Sequence, residues 1–378
     1  MRRRRACMTT PARHHGLDAA RALAMMFVLS GHAMVSFTVT PVGWAIQDRA
    51  QFLGVDLYAW VVRAFAMPTF FWLAGYFGRA LLDGAGFRAF MKNRVTRILA
   101  PLAVMLVPVS YALSYLWDWG REVGTRAAVA DNMPKLKGSE FEILLGHLWF
   151  LYYLLWLSLA AVAIHVLARH VRTRVPAIVL PFIITTAVLL WLGAMHTDTP
   201  LGFIPDVPIL IYMGAFFGWG WLVQARPAEL ARYTRYAWHA LALAPVFLAI
   251  VIATLYRGLS VVESPPAYAI AASALFSVAC MVFLLGACMR YLDARPRPLL
   301  QLASRASYWC YILHVPVAVL FQILLYNVPL FGPLKYLVIL TATTVICLGV
   351  YALGSSRFSP RKAARSQRPE SRINAPQR

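Results

Sequence analysis

An arginine and a histidine eleven residues apart, Arg21 and His32, stand in one long apolar stretch near the N-terminus. Ionisable side chains inside such a stretch are costly and mark functional sites. Eleven residues turn a helix through about three full turns and a further 20°. Both side chains therefore project from nearly one face, about 16 Å apart along the axis. A neutral imidazole can take a proton from a reacting group and pass it on as a general base and acid. A charge near one membrane surface with a base deeper inside suits a cofactor whose charged end stays at that surface while its reactive end reaches inward. The same pair also fits a plainer arrangement, with Arg21 an interfacial anchor and His32 a hydrogen-bonding contact between helices.

Other residues carry the same double reading. Ser307, Tyr311 and His314 fall at i, i+4 and i+7, a polar stripe on an apolar helix that must face the protein interior or water. Arg94 and Arg97, three apart, share a helix face and suit a phosphate as two planar forks, although excess positive charge at one membrane surface accounts for them equally. His147 and Trp149 open an apolar stretch at its interfacial end, where a tryptophan belongs to the aromatic belt and an exposed histidine is common. Ala74 and Gly75, before Tyr76, suit close helix packing. His14 and His15 are adjacent and so cannot share a helix face. His165, His170, His196 and His239 sit at the ends of apolar stretches. There is no His-Glu-x-x-His, Walker loop, Gly-x-Ser-x-Gly or dinucleotide fingerprint, so zinc proteolysis, ATP hydrolysis and lipase-type serine chemistry lack support. No metal is expected. Cys7, Cys280, Cys288, Cys310 and Cys347 have no metal-ligand spacing and read as small apolar side chains.

The elements that position these residues follow from composition. Of 378 residues, 60% are hydrophobic and 13% charged, against about a quarter charged in a soluble domain. The apolar residues come in blocks of about twenty, the length that crosses a bilayer. Continuous runs exclude a barrel, so the expected fold is all-α and polytopic. Ten spans are expected, near 17–39, 57–79, 98–117, 146–168, 176–195, 203–224, 237–256, 268–289, 306–327 and 334–354. With the N-terminus inside and the spans alternating, 28 of the 36 basic residues fall inside, against 10 of the 15 acids outside. That bias predicts both termini in the cytoplasm, and it accounts for the net charge of +21 without nucleic acid. The basic segment 1–16 precedes an uncleaved first span. Segment 17–354 is one membrane domain. The basic tail 355–378 is expected to be disordered and close to anionic lipid. The longest outer loop, 118–145, is either a cover for a binding site or a connector.

In their order along the chain these pieces resemble the membrane acyltransferase-3 family. The resemblance rests on Leu17-Asp18-x-x-Arg21 with ten residues before His32, on Phe70-Phe71-x-x-Ala74-Gly75-Tyr76, and on Arg94-x-x-Arg97 before Pro101. It continues through His147-Leu148-Trp149-Phe150-Leu151 and Ser307-x-x-x-Tyr311-x-x-His314-x-Pro316. It implies acyl-coenzyme A, as acetyl- or succinyl-coenzyme A, as co-substrate on the cytoplasmic side, with no tightly bound cofactor. It also implies an extracytoplasmic glycan acceptor such as a periplasmic glucan, and a place in a bacterial inner membrane. Under it His32 is the catalytic base and Arg21 its required partner. Arg21, Arg94 and Arg97 hold the coenzyme's phosphates, and His147 and Trp149 meet the sugar. Tyr311 or His314 supplies an oxyanion donor. One residue departs from the pattern: Ala74 stands where the family usually has Ser, so any role for that hydroxyl is absent.

Two other classes compete. A secondary transporter fits ten helices with buried ionisable residues, but such proteins show matched broken helices in inverted repeats, and no matched pair is visible. A structural or signalling membrane protein without turnover would tolerate loss of the His32 imidazole.

Overall fold

The computed structural model describes residues 14–40, 42–124, 144–167, 177–256 and 265–358, with side chains to 354. Among them the apolar blocks form ten α-helices and no strand. These are α1 His15–Met34, α2 Leu53–Arg94, α3 Ala100–Val123, α4 Trp149–Leu167, α5 Val179–Leu192, α6 Val207–Gln224, α7 Pro227–Tyr256, α8 Ala267–Leu292, α9 Pro298–Leu325 and α10 Gly332–Phe358. Most of the basic N-terminal segment, most of the loop 118–145 and the tail beyond 358 lie outside the described residues.

Each expected span coincides with one helix. Eight helical stretches are long and apolar enough to cross a membrane. One of them, Leu53–Val123, runs for 71 residues. At 1.5 Å per residue it is over 100 Å long, more than three hydrocarbon cores. It holds both α2 and α3, joined by a π-helical turn at Val95–Leu99. Inside α2 the chain swings at Gly86 (φ 82°, ψ 173°), a conformation open to a residue without Cβ. The expected span 176–195 is shorter than predicted. α5 has 14 residues, about 21 Å. Gly193, at φ 59°, stops it by adopting the left-handed conformation. The protein is an all-α polytopic membrane protein.

α1 is the central helix, packed against α2, α8, α9 and α10. Its alanines Ala19, Ala20, Ala22 and Ala24 are all buried; small side chains let neighbours approach on every side. Helices at the rim present large apolar side chains outward instead, among them Ile164, Val246, Val345 and Leu353. In water this surface would be an aggregation hazard, and lipid is its natural solvent.

The pairing of α2 with α6 depends on two glycines. A Cβ at Gly75 would collide with the carbonyl oxygen of Phe217, and one at Gly220 with that of Trp72. Two backbones therefore touch, and neither can yield. Gly220→Val is expected to cost about 1–3 kcal/mol or more and to lower the thermal midpoint in detergent. Gly218→Val, at a position with open space around it, should leave the midpoint within error. Equal midpoints would show that the contact is dispensable.

Below, the near face is the end of the bundle where α1 begins, and the far face is the end where α1 stops.

Candidate functional site

Three histidines from three elements meet towards the far face. His32 lies in the last turn of α1, His314 in the middle of α9, and His147 in a single 3-10 turn, Gly146–Leu148, that leads into α4. His32 Nδ1 is 3.1 Å from His314 Nε2, and the His147 ring centroid is 5.4 Å from that of His314. Backbone carbonyls settle where the ring protons are, because a carbonyl only accepts. His314 Nδ1 is 2.7 Å from the Tyr311 oxygen and 3.0 Å from that of Cys310, so it carries a proton. His32 Nδ1 is 3.1 Å from Val28 O and carries one too. His147 Nε2 donates to Ile312 O at 2.9 Å. Two lone pairs remain, on His32 Nε2 and His147 Nδ1, and the latter is buried without a hydrogen-bond partner among the described residues. Among the described residues no group of three His, Cys, Asp or Glu is disposed to hold a metal ion.

A tryptophan covers the cluster. Trp44, from the segment between α1 and α2, stacks on His32 with centroids 5.5 Å apart and planes 26° apart. Its indole N–H donates to Gln322 Oε1 at 2.7 Å, and the Gln322 amide donates in turn to His32 O at 2.8 Å. Gln322 thus ties Trp44, α9 and the end of α1 together. The loop itself is anchored by a buried ion pair, Lys335 Nζ to Asp48 Oδ2 at 2.9 Å, each side chain 5% exposed. Lys335 also donates to Tyr326 O, and Asp48 accepts from Ala50 N. Trp44, Gln322, Asp48 and Lys335 are absent from the sequence-based site. Gln322 had a signal: Ser307, Tyr311 and His314 continue through Ala318 to Gln322 at i+15, the same helical stripe. Trp44 and the ion pair had none, since each depends on how a loop folds back.

Several expected residues sit differently from the sequence reading. Tyr311 donates its hydroxyl to His147 O, so that proton holds the 3-10 turn against α9 and does not face an open oxyanion position. Both ring nitrogens of His314 are engaged, which removes it as a free donor. Trp149 is 7% exposed and packs against Phe71 and Tyr153, a core position and not an open platform for a sugar. Trp44 holds the position facing the cluster.

At the near face two of the three arginines lie against α2. The Arg21 guanidinium lies 4.7 Å from the Phe77 ring centroid. Arg94 lies 4.5 Å from that of Phe90, with a terminal nitrogen against Gly78. They flank one turn of α2. Arg94 is 7% exposed, its Nε has no hydrogen-bond partner, and it makes no ion pair among the described residues. Arg97 is exposed. The two arginines expected to act together therefore differ in surroundings, Arg94 buried and Arg97 exposed, and a π-helical turn, Val95–Leu99, begins directly after Arg94.

A second polar spot has a structural role. Arg63 donates to Thr197 O at 3.0 Å, and Ser273 donates to Met195 O. Together they hold the 193–206 connection where it dips between α2, α6 and α8. The cavity beside them, about 20 Å³, has room for one water and not for a sugar. Burial there, with Arg63 adding a like charge, lowers the His196 pKa from its ordinary value.

Comparison with known proteins agrees with the residue pattern. A family profile described as an acyltransferase domain matches residues 14–352. Glucans biosynthesis protein C of Salmonella schwarzengrund (strain CVM19633) is 25% identical over 152 residues, 40% of this chain and 39% of that protein. The protein of the same name from Salmonella typhi has the same identity and coverage, and that from Salmonella paratyphi B (strain ATCC BAA-1250 / SPB7) is 24% identical over the same length. The matches thus span about two-fifths of these curated relatives. No solved structure matches. With the profile running from the start of α1 into α10, over the histidine cluster and the near-face arginines alike, the chain belongs to the acyltransferase-3 family.

Proposed function

We propose that this membrane acyltransferase moves a short acyl group, succinyl or acetyl, from acyl-coenzyme A at the cytoplasmic face to a hydroxyl of an extracytoplasmic carbohydrate such as a periplasmic glucan. The observation that carries the reading is the state of His32. One nitrogen is committed to Val28 and His314, and the other makes no hydrogen bond among the described residues. A base held by one nitrogen and open at the other suits proton transfer.

The charge bias supports a cytoplasmic near face, with Arg21 and Arg94 then on the donor side. A buried guanidinium without a carboxylate is costly and gains most from an anion, so Arg94 takes a coenzyme phosphate as a planar fork. Arg21 assists across Phe77. The thioester arm runs along α1 from Arg21 towards His32, about 16 Å. The acceptor enters from the far face beneath Trp44. Its hydroxyl oxygen attacks the thioester carbonyl carbon while its proton passes to His32 Nε2. The tetrahedral oxyanion collapses, the C–S bond breaks, and the thiolate takes that proton back from His32. The products are the sugar ester and free coenzyme A. The two faces explain the architecture: donor and acceptor occupy different compartments, so the reaction needs a passage through the membrane. The names of the Salmonella relatives favour a glucan as acceptor.

The test is free-thiol release from acetyl- and succinyl-coenzyme A by purified protein in lipid, with and without glucan, for wild type and Arg94→Met. The variant is expected to raise KM for the donor about 30-fold, the loss of about 2 kcal/mol for one charge-assisted interaction, with kcat within two-fold. The ligand-free variant should melt no lower than wild type, because an uncompensated buried charge is gone. Added coenzyme A should raise the melting midpoint of wild type alone. No thiol release from either donor with glucan present would remove the reading and favour the transporter.

A further inference from the structure

We infer that His314 is a positioning residue for His32: it accepts the Nδ1 proton of His32, fixes the tautomer, and so keeps the basic lone pair on Nε2. The inference rests on His32 being the base. Its geometric premise stands independently, in a chain of bonds whose direction is set at one end by backbone. Tyr311 O and Cys310 O only accept, so His314 Nδ1 is protonated. A neutral His314 then presents an Nε2 lone pair, and 3.1 Å away is His32 Nδ1, which donates. Val28 O also faces that proton, but as an i−4 carbonyl it lies within the bonding ladder of α1, so its contact is a shared one. His314 is the partner that holds the ring.

The arrangement suits its surroundings. A base of this kind is commonly oriented by a carboxylate, yet an ionised carboxylate deep in a bilayer carries a heavy desolvation cost. A second imidazole provides the acceptor without a charge. His314 is 0% exposed, and its ring is gripped by α9's own carbonyls and by the His147 and Tyr311 rings. It therefore cannot rotate to offer a proton in the wrong direction. When His32 takes the hydroxyl proton on Nε2, its Nδ1–H bond to His314 becomes charge-assisted and strengthens. No proton leaves His314, whose own Nδ1–H stays on the backbone.

The experiment combines kinetics with ¹⁵N-histidine NMR on full-length protein in lipid. In wild type at pH 8, His32 is expected to show a protonated Nδ1 and an unprotonated Nε2. In His314→Ala only the shared Val28 carbonyl remains, and both His32 tautomers should appear. That variant should lose about 10²-fold in kcat, with KM for the acyl donor unchanged. His314→Gln, whose Oε1 can accept the Nδ1 proton, should recover about ten-fold of the loss and restore the single tautomer. A wild-type His32 protonated on Nε2, an unchanged His32 spectrum in His314→Ala, or equal rates for the Ala and Gln variants would each overturn the inference. If His314→Ala fails to fold, the wild-type spectrum and the Gln variant decide it. If His32→Gln keeps full transfer activity, the base assignment fails, and the tautomer measurement still reports on the bond.

Discussion

Replacing His32 by glutamine lowers kcat for acyl transfer by about 10²–10⁴, the contribution of a positioned general base, and leaves KM for acyl-coenzyme A within two-fold. The reason for the split is spatial. The proposed donor contacts lie at Arg21 and Arg94, near the opposite face, and glutamine does not disturb them. Glutamine fills similar volume and can still hydrogen-bond to His314 and lie beneath Trp44, so the thermal midpoint should stay close to wild type. What it cannot do is accept a proton from an attacking hydroxyl. The measurement is free-thiol release paired with mass-spectrometric detection of the acylated glycan. Equal rates in the variant would remove His32 as base while leaving the family and the donor site in place. A raised KM with unchanged kcat would make His32 a binding residue instead.

Lys335→Met destabilises the protein by about 3–5 kcal/mol, because it leaves the Asp48 carboxylate buried without its counter-ion. Asp48 and Lys335 each expose 4% of their surface, so water cannot take over. The Tyr326 carbonyl and the loop that carries Asp48 lose a shared anchor. The thermal midpoint in detergent should fall by on the order of 10 °C. The double variant Asp48→Leu, Lys335→Met should recover most of that, since apolar replacement of a whole buried pair is often neutral. Activity gives a second readout. Trp44, four residues before Asp48, stacks on His32. Even at temperatures where Lys335→Met stays folded, kcat should therefore fall with KM for the donor unchanged. A midpoint within 1–2 °C of wild type would show that water or a rearranged loop satisfies Asp48.

How far the sequence alone reached can be read residue by residue. The ten helices were legible because lipid imposes two rules on any chain: satisfy the backbone within the segment, and span about 30 Å. Hydropathy reports both. The Arg21–His32 spacing and the Ser307, Tyr311, His314 stripe were legible because helical period is local. Gly75 was legible as a packing residue, though its partner Gly220 was not. The exceptions are backbone events that hydropathy does not register. A π-helical turn follows Arg94, and the left-handed Gly193 cuts α5 short.

The composition of the site was decided by tertiary structure. His32 and His314 are 282 residues apart in sequence, and Lys335 and Asp48 are 287 apart. In lipid every apolar helix face is about equally acceptable to its surroundings, so hydropathy gives no preference among neighbours. Fit between small residues and a few polar contacts make that choice. Which imidazole nitrogen is open, which tryptophan faces it and which arginine has no ion pair among the described residues all depend on that choice, and not on any local pattern of residues.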